Sequence, residues 1–151
     1  IGGGGGGDTW LAGEAGADTV TGGDGNDRID GGAEADRLFG ENGADTINGG
    51  TGDDWIEGGK DNDLLYGNAG LDTFDFNGET QADTVYDFTN DQDTLRIDPI
   101  YGFANAAAVV AATSASGTGA LITLGGGNSI LLSGYLSGNT IASLLDDITI
   151  A

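Results

Sequence analysis

Residues 22 to 75 read GGDGNDRID GGAEADRLF GENGADTIN GGTGDDWIE GGKDNDLLY GNAGLDTFD, six blocks of nine with aspartate always in sixth place. Carried backward, the frame adds GEAGADTVT from Gly13 and, across one inserted residue at Ala12, GGGGGDTWL from Gly3. The aspartates in register are Asp8, Asp18, Asp27, Asp36, Asp45, Asp54, Asp63 and Asp72. Two residues after each lies an apolar side chain: Trp10, Val20, Ile29, Leu38, Ile47, Ile56, Leu65 and Phe74. A random glycine and aspartate tract has no reason to hold an apolar residue in phase, so the matches define a structural repeat. Without metal, the same low hydrophobicity and high charge predict disorder.

Composition narrows what such a repeat can do. The 151 residues include 31 glycines, one proline, no cysteine and no histidine. A zinc thiolate site, a cysteine nucleophile and a serine-histidine triad are therefore excluded, as is a disulfide framework. Twenty-five acidic residues against four basic ones give a formal charge of -21. That field repels phosphates and anionic lipid, so nucleic acid is not an expected partner. The longest low-polarity run, Phe103 to Ala112, is interrupted by Asn105 and is far short of the roughly 20 residues a bilayer needs, so no stable membrane insertion is expected. Starting at Ile1 and lacking methionine, the chain reads as a piece of something longer.

Charge also divides the chain, because 23 of the 25 acids lie at or before Asp98. We expect two regions, a repeat region over 1–75 and a C-terminal region over 76–151. Within each block, three residues centred on the apolar position form a short strand with its middle side chain inward, and the glycine-rich remainder turns into the next strand. Two blocks, 18 residues, complete one coil, so block n lies over block n+2 at roughly 4.8 Å. One edge then carries Asp8, Asp27, Asp45 and Asp63, and the other Asp18, Asp36, Asp54 and Asp72.

Carboxylates piled at that spacing repel strongly unless cations lie between them. Calcium fits, since it accepts six to eight oxygens in flexible geometry and glycine turns offer backbone carbonyls beside the aspartates. The carbonyl candidates are Gly22, Gly23, Gly25, Gly31, Gly32, Gly40, Gly43, Gly49, Gly50, Gly52, Gly58 and Gly59. Magnesium prefers a smaller octahedron and retains its waters. Softer metals want histidine or thiolate, neither of which the chain has.

Over Gly3 to Asp75 the blocks match GGxGxDxUx, with U apolar, and so resemble the nonapeptide of the RTX (repeats-in-toxin) calcium-binding proteins. The resemblance implies an all-β fold: a parallel β-roll, a right-handed β-helix, with a C-terminal β-rich cap containing short helices. It also implies that each calcium lies between successive turns on one edge, held by turn carbonyls and aspartates, with about six ions in all. The sequence departs from the motif where Glu14, Glu41 and Asn68 replace the second glycine, and where Glu34 and Asp61 replace the fourth. Such turns are either strained, since positive φ at a non-glycine residue is costly, most of all at Glu34, or lend an extra carboxylate. Asp24, Asp30, Asp53, Glu57 and Asp75 read as a solvated acidic surface. Trp10 and Phe74 occupy the inward position and read as core, whereas Trp55 and Tyr66 face outward.

Past Phe74 the nine-residue phase stops. Ala82 to Asp98 reads as two short strands around a turn at Asn90 to Gln92. That segment is either an acidic hairpin or a source of one more calcium site through Asp83, Asp87 or Asp93. Asn105 to Ala112 reads as a short helix and Leu121 to Leu132 as a hairpin across Gly125 to Asn128, while Ile141, Leu144 and Leu145 share a helical face. This region is expected to cap the roll. The last residues, DDITIA, resemble uncleaved C-terminal signals of type I secretion, and that reading is compatible with their also forming the final strand of the cap.

The resemblance implies a non-enzymatic, calcium-binding module of a secreted or cell-surface exoprotein. It would fold on meeting extracellular calcium and serve the stability and type I export of a larger protein, whose upstream domain could be catalytic. The alternative is a segment of an extracellular structural protein, such as a surface layer, adhesin or matrix fibre, that associates end to end.

Overall fold

The computed structural model describes residues 1–7, 10–78, 81–111, 113–144 and 146–150. Each interior block builds one six-residue strand, twice the expected length: β3 Thr19–Asp24, β4 Arg28–Ala33, β5 Arg37–Asn42, β6 Thr46–Thr51, β7 Trp55–Lys60 and β8 Leu64–Ala69. They are preceded by β1 (Gly2–Gly5) and β2 (Trp10–Ala12) and followed by β9 (Thr73–Phe76), β10 (Ala82–Val85) and β11 (Thr94–Ile97). The glycine pair does not leave the ladder. Pairing runs Val20↔Leu38 and Thr21↔Phe39, then resumes at Gly23↔Glu41, so the strand kinks at the left-handed second position and continues.

Alternate strands lie in two sheets, and about five coils result. The first sheet runs β1-β3-β5-β7-β9-β11-β15 and the second begins β2-β4-β6-β8-β10-β14, with β14 Asn128–Leu132 and β15 Ile148–Ile150. Every neighbour in these two series is parallel. Strand alternation turns the apolar residue and the first glycine inward and their neighbours outward. Val20, Ile29, Leu38, Ile47, Ile56, Leu65, Phe74, Val85 and Leu95 form a buried single file. Each such side chain contributes roughly 1.5–3 kcal/mol. In β3 to β8 one large apolar residue per strand makes a thin core, while β9 and β11 each bury a second, Phe76 and Ile97.

Trp10 does not join that file. The register Trp10↔Arg28 and Leu11↔Ile29 places Leu11 inward and leaves Trp10 59 % exposed. The inserted residue therefore precedes Trp10 and is not Ala12. Leucine matches the size of the column, while the indole lies outside with the Arg28 guanidinium 4.8 Å above its ring. Phe74 is inward as expected, Tyr66 stacks on Tyr86 at 4.8 Å, and Trp55 lies beneath Arg96.

The sheets run unbroken across the expected boundary near Asp75. Ala82 to Asp98 is not a hairpin: β10 and β11 belong to opposite sheets and continue the coil. The cap adds α1 (Ala106–Ala111), β12 (Thr113–Ser116), β13 (Gly119–Gly125) and short 3-10 turns, one of which, Ile141–Leu144, buries Leu144. Strands β13 and β14 form the expected antiparallel hairpin. Strand β14 pairs with β10 and β15 with β11, so the cap covers the sheet edge that the last coil would leave open. Its residues Val109, Ile122, Ile130, Leu132, Tyr135 and Leu144 join the core of the roll in one cluster. Leu145, expected on the same helical face, lies outside the described residues. Among the described residues, no helix is long and apolar enough to cross a membrane.

Candidate metal centre

The turn between strands carries the sixth-position aspartate, and its side chain folds under the coil instead of into solvent. Asp27, Asp36, Asp45, Asp54, Asp63 and Asp72 are all buried, and Asp18 in the first complete coil is half-buried. One carboxylate oxygen of each interior aspartate accepts the amide N–H of the aspartate one coil earlier. Asp18, Asp36 and Asp54 donate to Asp36, Asp54 and Asp72 at 2.7, 2.8 and 3.0 Å. On the other edge, Asp27 and Asp45 donate to Asp45 and Asp63 at 2.7 and 2.8 Å. These are the two ladders expected from an 18-residue coil. Asp8 lies outside the described residues.

The ladders run one coil further than the motif. Asp63 donates to Asp83 and Asp72 to Asp93, both at 3.0 Å. The signal was present as Asp83-Thr84-Val85 and Asp93-Thr94-Leu95, which keep the aspartate and its apolar follower after the glycines have gone. The third candidate, Asp87, instead takes the amides of Gly67 and Asn68 with its two oxygens at 3.0 and 2.8 Å.

The second carboxylate oxygen of Asp36, Asp45, Asp54, Asp63, Asp72 and Asp83 is buried with no hydrogen-bond donor. A buried, unsatisfied carboxylate oxygen is costly, and these six stand in two rows of three, one on each edge. The first glycine of each block lies directly against it. A Cβ on Gly31 would stand 2.6 Å from Asp36 Oδ2 and 2.5 Å from the carbonyl oxygen of Gly49 in the next coil. On Gly22 it would meet the Gly40 carbonyl oxygen at 2.7 Å and Asp27 Oδ2 at 2.9 Å, and Gly40, Gly49 and Gly58 face Asp45, Asp54 and Asp63 in the same way. Glycine is needed because carboxylate and carbonyl converge on that space.

The second-position glycines Gly23, Gly32, Gly50 and Gly59 have φ between 102° and 110°, and the fourth-position Gly25, Gly43 and Gly52 between 106° and 131°. The substituted positions follow the same path, at 73° for Glu14, 80° for Glu34, 75° for Glu41 and Asp61, and 66° for Asn68. The backbone is thus left-handed at every one of them, and the five non-glycine residues bear the strain.

Burial pushes the carboxyls up from their ordinary 3.8, to about 6 for Asp45, Asp54 and Asp72, about 7 for Asp83 and about 8 for Asp63. Neighbouring aspartates on the same ladder add to the rise at Asp45, Asp54, Asp63 and Asp72, and the backbone donors offset part of it. Several negative charges in a thin apolar core are unstable by themselves, and a hard divalent cation reverses the balance. An all-oxygen set of carboxylates and carbonyls fits calcium.

Of the acids expected on the surface, Asp24 and Asp53 are exposed and Asp30 and Glu57 are half-buried. Asp24 and Asp30 accept from the Asn42 and Asn48 amides, Asp53 accepts from the Leu71 backbone, and half-buried Glu57 accepts from Asn77. Asp75 is the correction: it is 6 % exposed and pairs with Arg96 at 2.8 Å, because its outward row is covered by that guanidinium.

The model of the RTX calcium-binding nonapeptide repeat, four copies long, matches the chain at residues 3–38 and again at 39–74. Residues 3–74 belong to the RTX calcium-binding repeat family. RTX nonapeptide repeats bind calcium. Eleven chains of solved structures match. One is the solution structure of the AlgE6R3 subunit of the mannuronan C5-epimerase from Azotobacter vinelandii, 25% identical, with a TM-score of 0.64 over 91% of this chain and 81% of that one. Its extent shows that RTX coils and C-terminal cap together make a β-roll architecture already seen elsewhere. Among curated proteins there is no match.

Proposed function

We propose that the chain is a calcium-driven folding module that supports the secretion and stability of a larger exoprotein and is not itself a catalyst. The observation that carries this reading is the double row of buried aspartates whose second oxygens lack a donor. Calcium would be held between successive coils by Asp18, Asp36, Asp54 and Asp72 on one edge and by Asp27, Asp45, Asp63 and Asp83 on the other, with glycine carbonyls completing the set. About six ions follow if each interturn position of the repeats fills. The bound ions supply the positive charge that lets stacked carboxylates stay ionised inside the roll.

A ligand held only by the folded state stabilises it by mass action. In low cytosolic calcium the charged chain stays open and can thread a type I exporter, and outside it closes. Residues 146–151 act as the export signal before folding, and β15 within them is the last strand afterwards.

Export by a reconstituted type I system tests this. The full chain should appear outside in both calcium and chelator but resist protease only in calcium, and deletion of 146–151 should cut export. Unchanged export after that deletion overturns the secretion assignment.

A second reading is end-to-end stacking in an extracellular structural protein, with the strand edges of one roll pairing with those of the next. Calcium-dependent growth in particle size on sedimentation would support it. A monomer at all concentrations would remove it.

A further inference from the structure

We propose a separate divalent cation site, with calcium as its ion, formed by Asp91, Asp146 and Asp147 where the C-terminal strand meets the last coil. These residues lie outside the nonapeptide blocks. Asp91 stands in the turn between β10 and β11, and the other two directly precede β15. One carboxylate oxygen from each lies within 4.8 Å of the others.

Asp147 carries the argument. It is 5 % exposed. Its carbonyl accepts the Leu95 amide at 2.7 Å, its own N–H donates to the Leu144 carbonyl at 3.2 Å, and its Oδ1 accepts the Asp91 amide at 3.0 Å. Every polar group of the residue is thereby engaged except Oδ2, which is buried with no donor. That is the same signature as the ladder aspartates show, in an element the repeat does not reach. A cleft of about 290 Å³ adjoins it, lined by these three aspartates with Gln92, Asp93 and Thr94. All the charged residues lining it are acidic. The volume suffices for an ion and several of its waters. Oxygen-only donors with three formal negative charges select a hard cation, and the mixed exposure of the three, with Asp91 and Asp146 open to solvent, suits calcium with waters completing its shell.

The ion joins two segments 55 residues apart in the chain, Asp91 and Asp146. It fastens the three-residue strand β15, otherwise held to β11 by a short ladder, onto the coil it closes. The C-terminus is then docked only where calcium is available.

Diffraction from calcium-loaded crystals, with anomalous data, tests the site directly. A peak is expected between the three carboxylates at roughly 2.3–2.6 Å from their oxygens. The exposed pair of substitutions, D91N with D146N, should lower the calcium count per chain by one in equilibrium dialysis and leave the repeat ions bound. Amide exchange in β15 should rise about tenfold in the variant when free calcium is ten times the site's Kd, with exchange in β5 to β8 unchanged. A cleft without a peak at saturating calcium, while the ladder sites are filled, overturns the proposal. So does an unchanged ion count in the variant.

Discussion

At the residue scale the decisive contact is between the first glycine of a block and the aspartate five positions later. A methyl group on Gly49 would collide with Asp54 Oδ2 and approach the Gly67 carbonyl oxygen at 2.8 Å. Gly49→Ala should therefore raise the calcium concentration needed for folding several-fold and destabilise the loaded roll by about 1–3 kcal/mol. Gly2→Ala, where a Cβ meets nothing within 4 Å, should change neither. Denaturant titration in saturating calcium measures both. The opposite sign is expected at Glu34, whose φ of 80° costs a non-glycine residue about 1–2 kcal/mol. Glu34→Gly should stabilise the loaded roll by somewhat less, about 0.5–1 kcal/mol, because glycine also loosens the unfolded chain.

At the element scale the coil length decides which aspartates communicate. The Asp36 amide donates to Asp54, and Asp45 stands on the opposite edge in the other ladder. In double-mutant cycles to alanine, Asp36 with Asp54 should couple by about 1–3 kcal/mol and Asp36 with Asp45 by less than about 0.5. Calcium counts should be taken beside the stabilities, since an interior aspartate serves two interturn positions and a terminal one serves one. Stronger coupling of Asp36 to Asp45 would contradict the ladders.

The same arithmetic explains what the sequence revealed. The fixed phase of Asp18 to Asp72 and of Val20 to Phe74 sets coil, edge and core together, so both ladders were legible. Continuation of the ladders at Asp83 and Asp93 was less so, because spacings of 20 and 21 residues break the phase although the local Asp-Thr-apolar triplet persists. The inward place of Leu11 could not be read from the frame, since one inserted residue can fall on either side of Trp10 and only packing size chooses. Asp75 looked like solvated surface because its partner, Arg96, is distant in sequence and comes alongside only when β11 stacks on β9.

At the scale of the whole molecule, a thin core and a row of carboxyls with raised pKa make the metal-free fold pH-dependent. Asp45, Asp54 and Asp72 at about 6, Asp83 at about 7 and Asp63 at about 8 bind protons more tightly when folded than at the ordinary 3.8 of an open chain. Where the native state binds more protons, stability falls as pH rises. Their contribution to the metal-free fold is complete below about 4 and is lost between about 4 and 8, so in chelator the chain should hold more β structure at pH 5 than at pH 8. Calcium should flatten that dependence, because bound ions keep the carboxyls ionised. A chelated chain that is more stable at pH 8 than at pH 5 would show that these aspartates are not buried without metal.

Far-ultraviolet circular dichroism near neutral pH, titrated from excess chelator to millimolar calcium, tests most directly whether the stacked aspartates need cations to fold the roll. The chelated chain should be largely disordered and gain β structure in one cooperative transition, with magnesium a poor substitute. Equal β content and an equal thermal midpoint in chelator and in calcium would contradict it.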